Sequence, residues 1–289
     1  MKGTPPPPGL CAQVACILEA TAPKPGNVHR FHDFEDSTYL DFVLAAAAIG
    51  PALDRAAEDG VGAAVLEAVE KTRRLVGKNA NLGLILLLAP LSAAAAQAGT
   101  LDRSRVQRVL VGLTPQDGER VYDAIRRAAP GGLGSSRAED VMQGRPTIPL
   151  VEAMALAADR DLIARQYASG FREVFEEALP ALQAAIDRGL GLEPAIVRLH
   201  LELMARFPDS LIARKCGEET ARESAARAAR VLERGWPGSS EADEALRDLD
   251  AWLRADGHRR NPGTTADLVG AAIFIALRNG WIKIPLTDN

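Results

Sequence analysis

The sequence has few aromatic residues, few cysteines and no excess of positive charge. Phe, Trp and Tyr make up 4% of the 289 residues, too few to indicate the stacking surfaces that bind single-stranded nucleic acids. The formal net charge of -4 argues against the basic field of a nucleic-acid-binding protein. The three cysteines, Cys11, Cys16 and Cys216, follow no metal-binding spacing and cannot all pair, which indicates a reducing compartment.

Long apolar runs are also scarce. The best candidate for a membrane span, Leu82–Ala98, is uncharged but is interrupted by Pro90, Ser92 and Gln97, whereas a membrane-spanning helix needs about 20 strongly apolar residues. We therefore predict a buried central helix here. The chain starts with a proline run where a signal peptide would have an apolar helix. The expectation is a soluble cytoplasmic protein with no membrane partner.

Strand signals are nearly absent, whereas helix signals recur along the chain. Apolar residues repeat at three- and four-residue spacing in Leu10–Ala20 and Leu40–Ala57. Thr114 and Asp117 flank a proline at the first helical position, which predicts a capped helix start. These patterns predict an all-α fold.

The C-terminal half extends this pattern. Leu211–Glu233 has salt-bridge spacing throughout and is predicted as one helix, and Ser240 is predicted to cap the next helix. Thr264 and Asp267 have the spacing of a capping box for a last apolar helix. No linker divides the chain, so we expect one helical domain over residues 10–289 after a flexible Pro-rich segment, 1–9.

The loop that begins in "EATAPKPGNVHR" is rigid and basic. Pro23 and Pro25 fix φ, and Gly26 permits a turn close to a ligand. Rigid cations such as Lys24 and Arg30 suit phosphate oxygens. The alternative is a helix terminator with solvated charges.

Two further segments combine polar residues with a helix start. In "FHDFEDSTYLDF", Asp36 could be a magnesium ligand or an acid placed near a helix N-terminus. In "GKNANLGL", the turn around Asn79, Asn81 and Gly83 could offer backbone N–H groups to an anion or only cap a buried helix. The order of residues is not that of a P-loop.

Three later loops combine acids with bases at a turn. Asp209 and Asp267 have helix-capping as their alternative role. Because metal-bound polyphosphates need carboxylates for the cation and cations for the phosphates, these loops together favour such chemistry. The residues singled out are Arg137, Glu139, Asp209, Arg214, Lys215, Asn261, Gly263 and Asp267.

In this order the motifs resemble the triphosphoribosyl-dephospho-coenzyme A synthase family. The similar segments are "EATAPKPGNVHR", "FHDFEDSTYLDF", "GKNANLGL", "SRAED", "PDSLIARKCG" and "NPGTTADL". The resemblance implies an all-helical fold and a Mg²⁺-dependent reaction in which a ribose hydroxyl of dephospho-coenzyme A attacks the anomeric carbon of ATP. Adenine leaves, and the triphosphate stays on the transferred sugar.

The resemblance also implies roles for the residues at the matching positions. The implied catalytic residues are Glu19, Asp209 and Asp267, and the implied metal ligands are Asp36, Glu139, Asp209 and Asp267. The implied nucleotide- and phosphate-binding residues are Lys24, Pro25, Gly26, Arg30, Asn79, Asn81, Gly83, Arg137, Arg214, Lys215, Asn261 and Gly263.

The chain departs from the family at one motif. The family carries Asn-Thr-His-Lys-Gly where this chain has Asn-Ala-Asn-Leu-Gly at residues 79–83, which removes a cation and a titratable ring. The alternatives are therefore a related enzyme of pterin-linked one-carbon cofactor synthesis with another substrate, a ribosyl hydrolase, or a non-catalytic helical nucleotide-binding protein. Small-molecule partners are expected, and the Ala93–Ala96 face could pack internally or against a second subunit.

Overall fold

The computed structural model describes residues 5–129, 141 and 144–283. Within these residues the chain forms fifteen α-helices, one π-helical turn and no β-strand, which confirms the predicted all-α class. The α-helices are α1 (Pro8–Thr21), α2 (Tyr39–Asp54), α3 (Ala56–Asp59), α4 (Val61–Val76), α5 (Leu82–Ala95), α6 (Arg103–Val111), α7 (Pro115–Ala128), α8 (Leu150–Ala155), α9 (Leu162–Ser169), α10 (Leu179–Asp187), α11 (Leu192–Arg206), α12 (Ser210–Cys216), α13 (Glu218–Glu233), α14 (Ser240–Arg254) and α15 (Gly263–Arg278), with the π-helical turn at Val174–Ala178 before α10. Helix α1 begins inside the segment predicted to be flexible.

Helices α5 and α15 form the centre of the core and pack against each other and against α1. Every residue of α5 except Gly83 is buried, so this helix has no polar face and no amphipathic period. The predicted buried central helix is confirmed, and Ala93, Ala94 and Ala95 pack inside the molecule. Within the described ranges, no helix has the length and apolar character that crossing a membrane requires.

Helix starts follow the predicted caps at some positions and depart from them at others. The capping box of Thr114 and Asp117 is present at the start of α7, as predicted. The prediction of one helix over Leu211–Glu233 is wrong, because Gly217, with φ +91°, separates α12 from α13. A glycine in this conformation stops a helix that side-chain spacing alone would continue.

The predicted caps of the last two helices are also wrong. The cap of α14 is Ser239, one residue before the predicted Ser240. Helix α15 has no side-chain cap: Thr264 bonds instead to the hydroxyl of Ser210, 3.1 Å away, and Asp267 lies beside α5. Tertiary contacts therefore replace the local capping box.

Candidate functional site

A cavity of about 820 Å³ opens where the first turns of α5, α9 and α15 meet the end of α1. It brings together ten of the residues singled out in the sequence, from both ends of the chain. These are Glu19, Asp36, Asn79, Asn81, Gly83, Arg214, Lys215, Asn261, Gly263 and Asp267. Arg137 and Glu139 lie outside the described residues.

Asp267 supplies a carboxylate to the cavity wall. No hydrogen-bond or ion-pair donor contacts this carboxylate within the described part of the chain. Burial, and after it the negative charges of Glu19, Asp209 and Asp161, raise the pKa of Asp267 well above its usual range. The fold therefore buries Asp267 among other carboxylates, and within the described residues no cation pairs with Asp267 directly.

Gly83 allows α5 to approach this carboxylate. A Cβ atom built on Gly83 would lie 2.0 Å from Oδ2 of Asp267, closer than any real contact. The glycine of the "NANLG" motif is therefore explained by close packing between the first turn of α5 and α15.

Glu19 reaches the cavity with the support of a buried lysine. Nζ of Lys24 lies 2.8 Å from Oε1 of Glu19 and also donates to the Glu19 carbonyl oxygen. Lys24 is fully buried and does not line the cavity. The structure thus places Lys24 behind the wall, where its charge orients and neutralises Glu19, and not in the phosphate-contacting position expected from the sequence.

The rest of the basic loop is also turned away from the cavity. Pro25 and Gly26 are buried, and the Gly26 N–H donates to Oδ1 of Asp250, 2.7 Å away. Arg30 is exposed and forms an ion pair with Glu193 at 2.8 Å. None of these three loop residues lines the cavity, so their expected phosphate contacts have no geometric support.

Asp209 joins two helices and does not face the cavity. Its Oδ1 accepts the N–H groups of Leu211 and Ile212, at 2.8 and 3.0 Å, and caps α12. Its Oδ2 accepts the N–H and the hydroxyl of Thr265, at 2.7 and 2.9 Å. Four donors therefore occupy this buried carboxylate, so the structure gives it the capping role and supplies no free oxygen for a metal.

Arg214 and Lys215 of α12 both line the cavity, but within the described residues only Arg214 is paired with an acid. Arg214 forms an ion pair with Asp161, with 2.5 Å between Nη1 and Oδ2. Lys215 has no acidic partner within the described residues, and burial together with the charge of Arg214 lowers its pKa. Lys215 is therefore available for an anionic ligand. The sequence interpretation missed Asp161, whose only signal is its position as the cap of α9.

The start of α5 adds backbone donors to the cavity. The side chain of Asn79 accepts the N–H of Leu82 at 3.2 Å. The next two N–H groups, of Gly83 and Leu84, have no acceptor among the described residues, and both residues line the cavity. Unpaired N–H groups at a helix N-terminus favour phosphate binding.

The three predicted metal ligands within the described residues, Asp36, Asp209 and Asp267, do not form one group. Among the described residues, no three His, Cys, Asp or Glu side chains form a group that could hold a metal ion. Asp36 lies at the rim, with a side chain that is 61% exposed and 3.5 Å from Nε2 of His258. Carboxylates for a metal ion in the cavity would therefore come from Asp267 and Glu19.

Comparisons of the sequence and of the structure with known proteins point to the same enzyme family. The sequence model of the ATP:dephospho-CoA triphosphoribosyl transferase family matches residues 7–285. A crystal structure from Archaeoglobus fulgidus, assigned as a triphosphoribosyl-dephospho-coA synthase, aligns with a TM-score of 0.64 and 30% sequence identity. That alignment covers 82% of this chain and 98% of the other.

Two curated proteins named probable 2-(5''-triphosphoribosyl)-3'-dephosphocoenzyme-A synthase match more locally. The protein from Pseudomonas syringae pv. tomato is 34% identical over 106 residues, and that from Pseudomonas savastanoi pv. phaseolicola is 34% identical over 110 residues. These matches cover 37% and 38% of this chain, and 36% and 37% of the relatives. The chain thus aligns with little more than a third of the length of these relatives.

Proposed function

Since the chain belongs to the ATP:dephospho-CoA triphosphoribosyl transferase family, we propose that it transfers the triphosphoribosyl group of ATP to an acceptor hydroxyl. The acceptor oxygen forms a bond to the anomeric carbon of ATP while the bond from that carbon to adenine breaks. The hydroxyl proton ends on the departing adenine, and the triphosphate stays on the transferred sugar. The reaction needs neither an oxidant nor a water molecule.

The observation that carries this proposal is that one cavity holds both carboxylates and groups that can bind phosphate oxygens. Glu19 and Asp267 supply the carboxylates, whereas Lys215 and the unpaired N–H groups of α5 can take phosphate oxygens. Holding both sugars in one cavity would contribute to catalysis, because orientation alone can lower a barrier by roughly 7–11 kcal/mol in favourable cases.

Mg²⁺ fits the carboxylates of Glu19 and Asp267. Burial, and after it the neighbouring carboxylates, raise the pKa of Asp267, and a divalent cation would stabilise its charged form. Asp267 and Glu19 would hold the ion together with phosphate oxygens, as is usual for magnesium. The bound ion would neutralise triphosphate charge. Asp209 does not fit as a ligand, because donors already occupy both of its oxygens.

The acceptor is the part of the proposal that the altered motif affects. Leu82 stands where the family has a lysine, and it lies on the cavity wall. An apolar side chain at this position favours an acceptor that carries less charge there than dephospho-CoA, such as a precursor in pterin-linked cofactor synthesis. Dephospho-CoA is therefore the first acceptor to test, and precursors in pterin-linked cofactor synthesis should be tested after it.

The experiment is incubation of the purified full chain with Mg²⁺-ATP, with and without dephospho-CoA, followed by mass spectrometry. We expect free adenine in equal amount to an acceptor that has gained the triphosphoribosyl group. Asp267→Asn should abolish adenine release, whereas Asp243→Asn, which changes an exposed acid of α14, should not.

Other outcomes of this experiment would favour other functions. Adenine with free triphosphoribose would indicate hydrolysis instead. ATP binding without adenine release in the presence of dephospho-CoA would remove the named acceptor, and ATP binding without adenine release with any acceptor would favour a non-catalytic binding protein.

A cytoplasmic location fits this reaction. ATP is the donor, and Cys11, Cys16 and Cys216 are all free thiols. We propose that residues 10–289 act as one synthase-like domain.

A further inference from the structure

An aromatic wall lies on the cavity beside the turn between α14 and α15. The rings of Phe34 and His258 are stacked, with 5.2 Å between their centroids and an angle of 24° between their planes, and both residues line the cavity. The guanidinium of Arg254 lies 5.9 Å from the Phe34 centroid and donates to the Asn27 carbonyl oxygen at 2.7 Å. The loop after α1 and the end of α14 therefore build this wall together.

A pair of amides adjoins the rings. Nδ2 of Asn27 donates to Oδ1 of Asn261 across 2.5 Å, and both residues line the cavity. The Asn261 N–H donates to the His258 carbonyl oxygen at 3.2 Å, so ring and amide belong to one turn. Asn27 is 5% exposed, and its Oδ1 has no partner in the described part of the chain.

This amide pair keeps most of its hydrogen-bond donors and acceptors unused. The hydrogen bond between the two side chains consumes one N–H and one oxygen lone pair, whichever way round the two amides are placed. Oδ1 of Asn27 is buried, but Asn261 is only partly buried and lines the cavity, so its Nδ2 and the second lone pair of its Oδ1 remain for a ligand. The pair is therefore suited to an edge that offers both an amino group and a ring nitrogen.

We propose that the Phe34–His258 rings and the Asn27–Asn261 amides form a nucleobase subsite. The base stacks on the exposed side of the ring pair, and the amides bind the amino group and a ring nitrogen of an adenine-like edge. Arg259 follows His258 and donates to the Lys215 carbonyl oxygen at 2.9 Å, so this subsite lies next to Lys215. The assignment of the base to ATP rests on the proposed function, whereas base binding itself does not.

The test measures binding by isothermal titration calorimetry with three probes: adenosine, Mg²⁺-ATP and Mg²⁺-tripolyphosphate. Phe34→Leu and His258→Leu should each weaken adenosine and ATP about tenfold or more, and should leave tripolyphosphate unchanged. The matched controls are Phe31→Leu and His32→Leu, exposed rings of the same loop that do not line the cavity, and these should bind all three probes as the unaltered chain does.

A second comparison tests the amides. The unaltered chain should prefer adenosine to purine riboside, which lacks the amino group, and Asn261→Ala should reduce that preference. Absence of adenosine binding to the unaltered chain, or full adenosine affinity in both Phe34→Leu and His258→Leu, would overturn the subsite. Equal loss of tripolyphosphate binding in these variants would do the same, because it would indicate general disruption.

The subsite and the proposed transfer can fail separately. If the unaltered chain binds adenosine as described but never releases adenine from ATP, the transfer is wrong and the subsite stands. If His258→Leu releases adenine with an unchanged KM for ATP, the subsite is wrong and the transfer stands.

Discussion

At the scale of single residues, Asp267 is a carboxylate held in an unfavourable electrostatic environment. Burial and neighbouring carboxylates raise its pKa, so the folded state binds a proton more tightly than the unfolded state. The stability of the protein should therefore fall as pH rises from the ordinary aspartate range, near 4, through the raised pKa of the folded state. Such a cost is typical of groups retained for binding or catalysis.

Replacing Asp267 by asparagine should remove this cost. We expect Asp267→Asn to have a Tm about 2–4 °C above that of the unaltered chain at pH 9, and the difference should shrink at pH 4, near the ordinary pKa of the unfolded aspartate. Thermal unfolding followed by circular dichroism at the two pH values measures this. A variant that is less stable at pH 9 than the unaltered chain would contradict the argument.

Gly83 provides an independent test of the same wall. An added methyl group would overlap the Asp267 carboxylate, which must then move, while the backbone of α5 is spared. We expect Gly83→Ala to reduce adenine release at least about tenfold, because a small displacement of a catalytic group costs rate steeply. The control is Gly191→Ala, where the nearest atom is at 3.8 Å and φ is -58°. Equal activity of both variants would show that the carboxylate position is unimportant.

At the scale of elements, the loop after α1 owes its shape to buried contacts. Lys24 sits in the core against Glu19, Gly26 donates to Asp250 of α14, and Asn27 bonds to Asn261 before α15. This explains why a rigid, basic, non-helical stretch follows the first helix: it fixes one wall of the cavity against elements from the far end of the chain.

Two ion pairs of this loop make a matched comparison. Lys24→Met leaves the Glu19 carboxylate buried without a partner and should lower the free energy of unfolding by about 3–5 kcal/mol. Arg30→Met removes an exposed pair with Glu193 and should lower it by less than about 1 kcal/mol. Urea unfolding at neutral pH measures both. Similar losses in the two variants would mean that Lys24 does not have the buried role described.

Much of the helical pattern could be predicted from local sequence, and the exceptions share a cause. The capping box of Thr114 and the apolar α5 are local features, and both were predicted. Thr264 and Asp267 match the same capping pattern, yet Asp267 faces Gly83 of α5, a helix that is far away in the sequence. Local spacing describes which contacts a residue can make, and tertiary packing decides which it does make.

The candidate site follows the same rule. The sequence identified Asp267, Arg214 and Lys215 from their loops, and these line the cavity. It could not show that Lys24 is fully buried, because a lysine between prolines has the local features of an exposed loop residue. Nothing in the local sequence indicates that the His258 ring lines the cavity, because its stacking partner Phe34 is remote in the sequence.

At the scale of the whole molecule, the net charge opposes the ligand that the cavity is proposed to bind. The chain carries a formal charge of -4, so its average field repels a triphosphate. Binding must therefore depend on short-range contacts with cations and backbone donors that the helices hold in one place. Lys215 is central to this argument because it lines the cavity and has no acidic partner within the described residues.

Lys215→Met should thus weaken Mg²⁺-ATP and Mg²⁺-tripolyphosphate about ten- to a hundredfold, as expected for a lost charge-assisted hydrogen bond, and leave adenosine binding unchanged. Lys71→Met is the control, since Lys71 pairs with Glu67 at 2.7 Å away from the cavity. Raising the salt concentration should weaken ATP binding more in the unaltered chain than in Lys215→Met, because the variant has lost one screened interaction. Identical salt dependence and affinity in the two would mean that the phosphates bind elsewhere, since a cation that contacts them cannot be removed without changing both.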